Sequence, residues 1–300
     1  MRVVMAGASG LIGRAVAAAL RAQGTEVRRL VRRAPAAPDE IFWDPAGGSL
    51  DPSALEGADA IVNLAGRTIA RGPWTRRARD EMVASRVGAT RLLVETLGRR
   101  GARPSVFVSA SAIGYYGDRG DEVLTETADP GRGFLADLVQ AWEAEARRAR
   151  AYGVRVVCTR FGLILAPRGG VLAPLLLPFR LGLGGPLGSG RQWWSWVHLD
   201  DVVGAVLAAL RTPALEGPVN VVSPAPVPQR EFARVLGAVL RRPAVLPVPA
   251  FALRLVLGAM ADETVLASQR VRPAALEAVG FAFRWPELRP ALEDVLRPAA

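Results

Sequence analysis

Met1-Arg2-Val3-Val4-Met5-Ala6-Gly7-Ala8-Ser9-Gly10-Leu11-Ile12-Gly13 opens the chain. An apolar, β-branched run ends in a glycine turn. The turn passes directly into residues whose apolar positions, Ile12, Val16, Ala19 and Leu20, recur with a helical period. Strand, glycine turn and amphipathic helix in that order begin a β-α-β unit. Gly7 permits the tight turn, Gly10 lets backbone approach a pyrophosphate, and Gly13 lets helix and strand pack closely. Ser9, Leu11 and Ile12 complete the turn, and the free N–H groups at the helix start would face the phosphates of a dinucleotide. The alternative is a turn that is only structural.

Downstream, short β-branched runs alternate with helical periods, as in a parallel sheet wrapped by helices. Val3 to Ala6, Glu26 to Val31, Ala60 to Leu64, Ser105 to Ser109 and Val154 to Thr159 are expected strands. Val83, Val87, Thr90, Val94 and Leu97 share one helical face, as do Leu135, Leu138, Val139 and Trp142. Beyond the Pro- and Gly-dense stretch 167–190, strands are expected at Trp193 to Val197 and Val219 to Val222. Helices are expected at Leu199 to Leu210, Gln229 to Leu240 and Phe251 to Met260. The predicted fold is α/β, a doubly wound parallel sheet of Rossmann type with a smaller C-terminal α/β substrate lobe. Residues 1–165 form the dinucleotide-binding domain with a return strand from about 191–222, and 166–300 the lobe, including a helical segment 245–297.

Composition narrows the chemistry. With 300 residues, half of them hydrophobic and 22% charged, the chain can bury a large core. One cysteine, Cys158, and one histidine, His198, exclude an internal disulfide and an ordinary zinc cage, so no metal is expected. All 38 basic residues are arginines, and they are scattered without a basic tail, so the net charge of +10 does not point to nucleic acid. The start of the chain is cytosolic in character, which predicts a cytoplasmic protein. The apolar stretches 171–188 and 244–261 are interrupted by prolines and arginines, and read as packing or interface elements rather than membrane spans. The second could serve a partner, a homodimer being one use.

Cofactor choice is read about twenty residues past the last glycine. There the second strand ends in Val31-Arg32-Arg33, with no carboxylate for ribose hydroxyls. Arg32 and Arg33 would accept a 2′-phosphate, which favours NADP(H), unless they belong to the general arginine excess. Asp44, after Phe42-Trp43, reads as an ordinary turn aspartate before Pro45. Arg160 ends a strand at the cofactor-facing edge, where it would touch nicotinamide or substrate, or else be solvated.

These residues resemble the extended short-chain dehydrogenase/reductase superfamily, which includes nucleotide-sugar epimerases. The resemblance rests on the glycine turn, Asn63-Leu64-Ala65-Gly66, Ser109-Ala110-Ser111-Ala112-Ile113-Gly114-Tyr115-Tyr116-Gly117, and Trp196-Val197-His198-Leu199-Asp200-Asp201, in family order. It is closer to an atypical branch, the epimerase-like family with a C-terminal domain of unknown function. The marks of that branch are Gly190-Arg191-Gln192-Trp193-Trp194-Ser195-Trp196-Val197-His198, Asn220-Val221-Val222-Ser223-Pro224 and Ala267-Ser268-Gln269-Arg270-Val271. The resemblance implies that Leu64, Ala65 and Gly66 border the cofactor, and it gives Asp44 a second reading, a place near the adenine. It also implies a Tyr-x-x-x-Lys pair for proton transfer, which this chain cannot have: lysine is absent, and Leu135 and Val139 stand at the two positions. The superfamily's asparagine on the preceding helix is also missing, with Arg86 near its place.

Other groups would then carry the chemistry. Ser111 matches the superfamily serine that bonds the reacting oxygen, or merely satisfies local backbone. Tyr115 and Tyr116 follow on a loop near the expected nicotinamide, and either could donate a proton or simply pack. His198 is read as anchoring the helix start that Asp200 and Asp201 complement. Trp193, Trp194 and Trp196 wall a flat pocket or form core. The leading reading is an NADP(H)-dependent oxidoreductase or epimerase-like enzyme on an unidentified small molecule. The other is a dinucleotide-responsive binding or regulatory protein without turnover.

Overall fold

The computed structural model describes residues 1–70, 72–100 and 103–297; residues 298–300 of the expected lobe lie outside them. Eight strands form the central sheet: β1 (Arg2–Ala6), β2 (Glu26–Val31), β3 (Glu40–Asp44), β4 (Ser49–Leu50), β5 (Ala60–Asn63), β6 (Val106–Ala112), β7 (Arg155–Phe161) and β8 (Gly217–Val221). Their spatial order is β8-β7-β6-β5-β1-β2-β3-β4. All neighbours are parallel except the β3–β4 hairpin at one edge. This is the doubly wound sheet of Rossmann type, and its order reverses between β1 and β5.

The period of two divides each central strand between two cores. Val3 and Met5 of β1 join one core with Val16 and Leu20 of helix α1 (Leu11–Ala22) and with Val202 and Val206 of the helix Leu199–Arg211. Val4 and Ala6 face the other, where Leu93 and Leu97 of α3 (Ala89–Arg100) pack with Ile61 and Phe107. Because both faces are covered, the central strands are buried along most of their length, with polar residues such as Asn63, Ser111 and Arg160 toward their carboxyl ends.

Four expected elements change shape. The helical face through Val83 and Val87 is broken by a π-turn, Ala84–Gly88, between α2 (Arg76–Val83) and α3. The wider turn re-phases the helix, so Val87, Thr90, Val94 and Leu97 are buried while Val83 faces solvent. Trp193 to Val197 is two strands rather than one. Trp193–Trp194 runs antiparallel to Val227–Pro228, and Trp196–His198 runs parallel to Leu163–Leu165. They part at Ser195, whose hydroxyl donates to the Gln269 carbonyl and accepts from the Val271 amide. The return strand of the main sheet is therefore β8. The strand expected to end at Ser109 continues to Ala112, and the helix expected from Phe251 to Met260 breaks at Gly258 into Ala250–Leu257 and Ala259–Glu263. On the first of these pieces Phe251, Leu255 and Val256 are exposed.

Gly13 shows how tightly the opening unit is packed. An added Cβ would lie 2.1 Å from the Gly7 carbonyl oxygen and 2.8 Å from the Ala8 Cα, both backbone atoms. Gly13→Ala is expected to cost about 1–3 kcal/mol by overpacking, read as a lower urea midpoint. Gly10→Ala meets only the Gly7 carbonyl oxygen, at 3.3 Å, and is expected to cost less.

Candidate functional site

The site begins where the sheet reverses. β1 and β5 end side by side, and Gly7, at φ +77°, turns so closely over β5 that an added Cβ would lie 2.4 Å from the Leu64 carbonyl oxygen and 2.8 Å from the Ala65 nitrogen. Leu64, Ala65 and Gly66 thus form the wall beside the turn. Gly10 precedes α1 without any side-chain cap, which leaves the N–H groups of Leu11, Ile12 and Gly13 free for an anion. From the opposite side Gly169 approaches Leu11, at 3.7 Å from an added Cβ to Leu11 Cδ2. That loop was not legible as part of the cradle, because it arrives from the lobe.

The two arginines after β2 differ. Arg33 is held by the buried carboxylate of Glu40 in a two-bond fork, at 2.7 and 2.8 Å. Arg32 is exposed and makes no hydrogen bond or ion pair among the described residues. Of the two arginines expected at a 2′-phosphate, Arg33 is thus already paired and Arg32 is the free side chain. Asp44 accepts from the Ala46 amide at 3.0 Å, the geometry of a turn aspartate closing the β3–β4 hairpin.

At the carboxyl ends of β6 and β7 lies a buried polar cluster centred on Glu143 of helix α4 (Phe134–Arg147). Arg160 donates to both Glu143 oxygens, from Nε at 2.7 Å and Nη2 at 2.9 Å. Ser111 donates to the same carboxylate at 2.6 Å. Arg160 Nη1 donates to the Tyr116 hydroxyl at 2.9 Å, and that hydroxyl lies 2.7 Å from Asn220 Oδ1 and 3.0 Å from the Thr125 carbonyl. Burial acts to lower the Arg160 guanidinium, but the Glu143 carboxylate outweighs it and holds the pKa above its ordinary value. Burial pushes the Tyr116 phenol up to about 12. Arg160 is therefore neither solvated nor extended to a cofactor. Its guanidinium is an internal tie between β7 and α4. Tyr116, fully buried with a saturated hydroxyl, is corrected from proton donor to structural hub.

Tyr115, its neighbour, is half-buried and its hydroxyl makes no hydrogen bond among the described residues. The Arg160 guanidinium lies 3.5 Å from its ring centroid, and the two tyrosine rings meet edge to face. The positions of the missing pair, Leu135 and Val139, are buried. Glu263 of the lobe instead reaches the start of α4 and accepts from the Leu135 amide at 2.7 Å.

The lobe clamps this loop. Gln269 Nε2 donates to the carbonyls of Ile113 and Gly117, each at 3.1 Å, and Ser268 Oγ donates to the Gly120 carbonyl at 2.6 Å. Trp194 and Trp196 are core, their indole N–H groups satisfied by the Val265 and Ala225 carbonyls. Trp193, half-buried, donates to Asp121. His198 Nδ1 accepts from the Asp200 amide at 3.1 Å and caps the following helix. Burial lowers its pKa against the nearby carboxylates of Asp200 and Asp294. Those two with His198 are the one group of potential metal ligands among the described residues. With Nδ1 accepting, the neutral imidazole carries its proton on Nε2 and offers no lone pair there.

The turn, the sheet reversal and the uncapped helix start define a doubly wound α/β protein with a dinucleotide-type cradle. The chain belongs to the NAD dependent epimerase/dehydratase family, whose model matches residues 3–222; residues 248–295 match a domain of unknown function, DUF1731. An epimerase family protein of Mycobacterium bovis is 44% identical over 94% of this chain and 93% of its own length. Epimerase family protein SDR39U1 of Mus musculus is 38% identical over 99% of this chain and 100% of its own. The crystal structure of human epimerase family protein SDR39U1 with NADPH superposes at TM-score 0.90, with 34% identity and 100% of both chains covered.

Because Glu143 is the counter-charge for a buried guanidinium, Glu143→Ala is expected to destabilise the fold by about 3–5 kcal/mol. The double replacement Glu143→Met with Arg160→Met should recover most of that loss. Urea unfolding of the three proteins checks this; a Glu143→Ala variant as stable as wild type would contradict it.

Proposed function

We propose that this chain binds NADP(H) and is an oxidoreductase or epimerase-like enzyme that acts on a small molecule without a Tyr-x-x-x-Lys pair. The cradle carries the reading: Gly7 sealed on Leu64, Gly13 on Gly7, Gly10 with a single backbone neighbour at 3.3 Å from an added Cβ, and an uncapped α1. These features fit a pyrophosphate, because backbone must approach it closely and free N–H groups must meet it. The relative crystallised with NADPH supports the same reading. Arg32 is the side chain for the 2′-phosphate. When bound, the dinucleotide supplies hydride chemistry.

The protein's own task is to orient a substrate and hold a proton. Ser111, at the end of β6, is oriented by Glu143, and Tyr115 has an uncommitted hydroxyl on the adjoining loop. Tyr115 is the better proton donor of the two loop tyrosines because its hydroxyl need not break a network to move.

Calorimetry should find NADPH bound at least about tenfold more tightly than NADH, a difference of about 1.4 kcal/mol. Arg32→Gln should bring the two affinities together. Gly10→Val should abolish thermal stabilisation by NADPH while the apo protein still melts cooperatively. Equal binding of NADH by the wild type would overturn the cofactor assignment.

In a screen of carbonyl compounds and sugar nucleotides, Tyr115→Phe and Ser111→Ala should each lower the NADPH oxidation rate about 10²-fold or more. Affinity for NADPH should be nearly unchanged. Complete absence of turnover, with NADPH binding intact, would favour the non-catalytic, dinucleotide-responsive reading instead.

A further inference from the structure

Two arginines before α3 rest on aromatic rings without a carboxylate partner among the described residues. Arg79 lies in α2 and Arg86 in the π-turn after it, and each is laid over an aromatic ring of α4. Arg79 Cζ is 5.1 Å from the Phe134 ring centroid, and Arg86 Cζ is 5.3 Å from that of Trp142. Among the described residues neither guanidinium pairs with a carboxylate. Arg77 on the same helix, and Arg67 beside it, both pair with Glu81. Arg79 Nε is buried without any hydrogen-bond partner. Arg86 makes one long bond, 3.4 Å to the Met82 carbonyl, and burial pushes its pKa down to about 10. A cation so placed is poorly compensated, and stacking on a ring replaces only part of its lost hydration.

Their position gives that vacancy a use. An added Cβ at Gly66 would lie 3.2 Å from Arg86 Cζ, so the guanidinium rests on the loop whose Leu64 carbonyl seals Gly7. Arg86 lies over Trp142 of α4, which packs on β6, whereas Arg32 follows β2 on the other side of β1. Phe134, under Arg79, adjoins Leu135, which packs on Gly114 next to Tyr115. The π-turn sets the direction of Arg86 independently of α2, a use such turns often have at functional sites.

We propose that Arg86, assisted by Arg79, receives the oxyanion of the substrate, which makes the substrate a carboxylate- or phosphate-bearing small molecule. The proposal rests on the NADP(H) reading of the same cleft. The dinucleotide's own phosphates are the other source of an oxyanion. They are already provided for by the α1 N-terminus and by Arg32, both on the far side of Gly66. The planar fork of arginine matches a carboxylate or phosphate through two parallel hydrogen bonds.

The test is calorimetric titration of NADPH-saturated protein with malonate and, separately, with inorganic phosphate. The wild type should bind at least one probe. Arg86→Gln should weaken that binding by roughly tenfold or more, the loss of a charge-assisted pair. Arg79→Gln should weaken it less, and both variants should keep NADPH affinity within about twofold of wild type. Arg86→Lys keeps the charge without the fork and should give an intermediate affinity; it serves in place of Arg86→Gln if that variant does not fold. Failure of the wild type to bind either probe would overturn the proposal. So would an Arg86→Gln variant that loses NADPH affinity and keeps the probe, since the guanidinium would then serve the dinucleotide. If the wild type does not bind NADPH at all, the cofactor reading fails on its own, and titration of the dinucleotide-free protein still decides the arginine site.

Discussion

Everything at the carboxyl edge of the sheet depends on how closely three stretches of backbone approach one another. Gly7 turns against the Leu64 carbonyl, and Gly13 of α1 packs on the Gly7 carbonyl, at separations that leave no room for a Cβ. The contact fixes α1 over the reversal between β1 and β5, with its first N–H groups uncapped. It also places the Leu64 to Gly66 wall, and therefore the Arg86 guanidinium that lies on it. A side chain at Gly7 or Gly13 would open the cradle before any ligand was considered.

A second organisation is built from buried polar groups at the strand ends. Glu143 joins Ser111, Arg160 and, through Arg160, Tyr116 and Asn220. Asn220 in turn donates to the Arg272 carbonyl of the lobe at 2.9 Å, and Gln269 grips the loop that carries both tyrosines. The lobe is thus hydrogen-bonded to the loop at the strand ends rather than resting on apolar contact alone. Fully paired networks of this kind specify geometry because any displaced member leaves a buried group unsatisfied. This explains how Tyr115 keeps a defined place although Leu135 and Val139 offer it no hydrogen bond.

The glycine turn, the alternating strands and the absence of the Tyr-x-x-x-Lys pair were legible because each is local: a spacing, a period of two, a missing residue type. What escaped depends on partners distant in sequence or on local phase. Arg32 and Arg33 look alike until β3 sets Glu40 beside one of them. Tyr115 and Tyr116 are adjacent, but the short 3₁₀ turn Ile113–Tyr116 sends one into the interior and leaves the other half-exposed. Arg160 reads as a strand-end cation until α4 supplies Glu143, 17 residues earlier. The π-turn has no local sequence signature, so residue spacing alone gives the helix through Val83 a single phase and leaves the direction of Arg86 open.

On the proposed reading the dinucleotide binds at the uncapped start of α1, closed in by Gly7 and Leu64. Hydrogen exchange at single-residue resolution, with and without saturating NADPH, tests it most directly. Bound NADPH should slow exchange at the amides of Leu11, Ile12 and Gly13, together with the Leu64 to Gly66 wall. Binding of NADPH with those amides exchanging at their apo rates would contradict it.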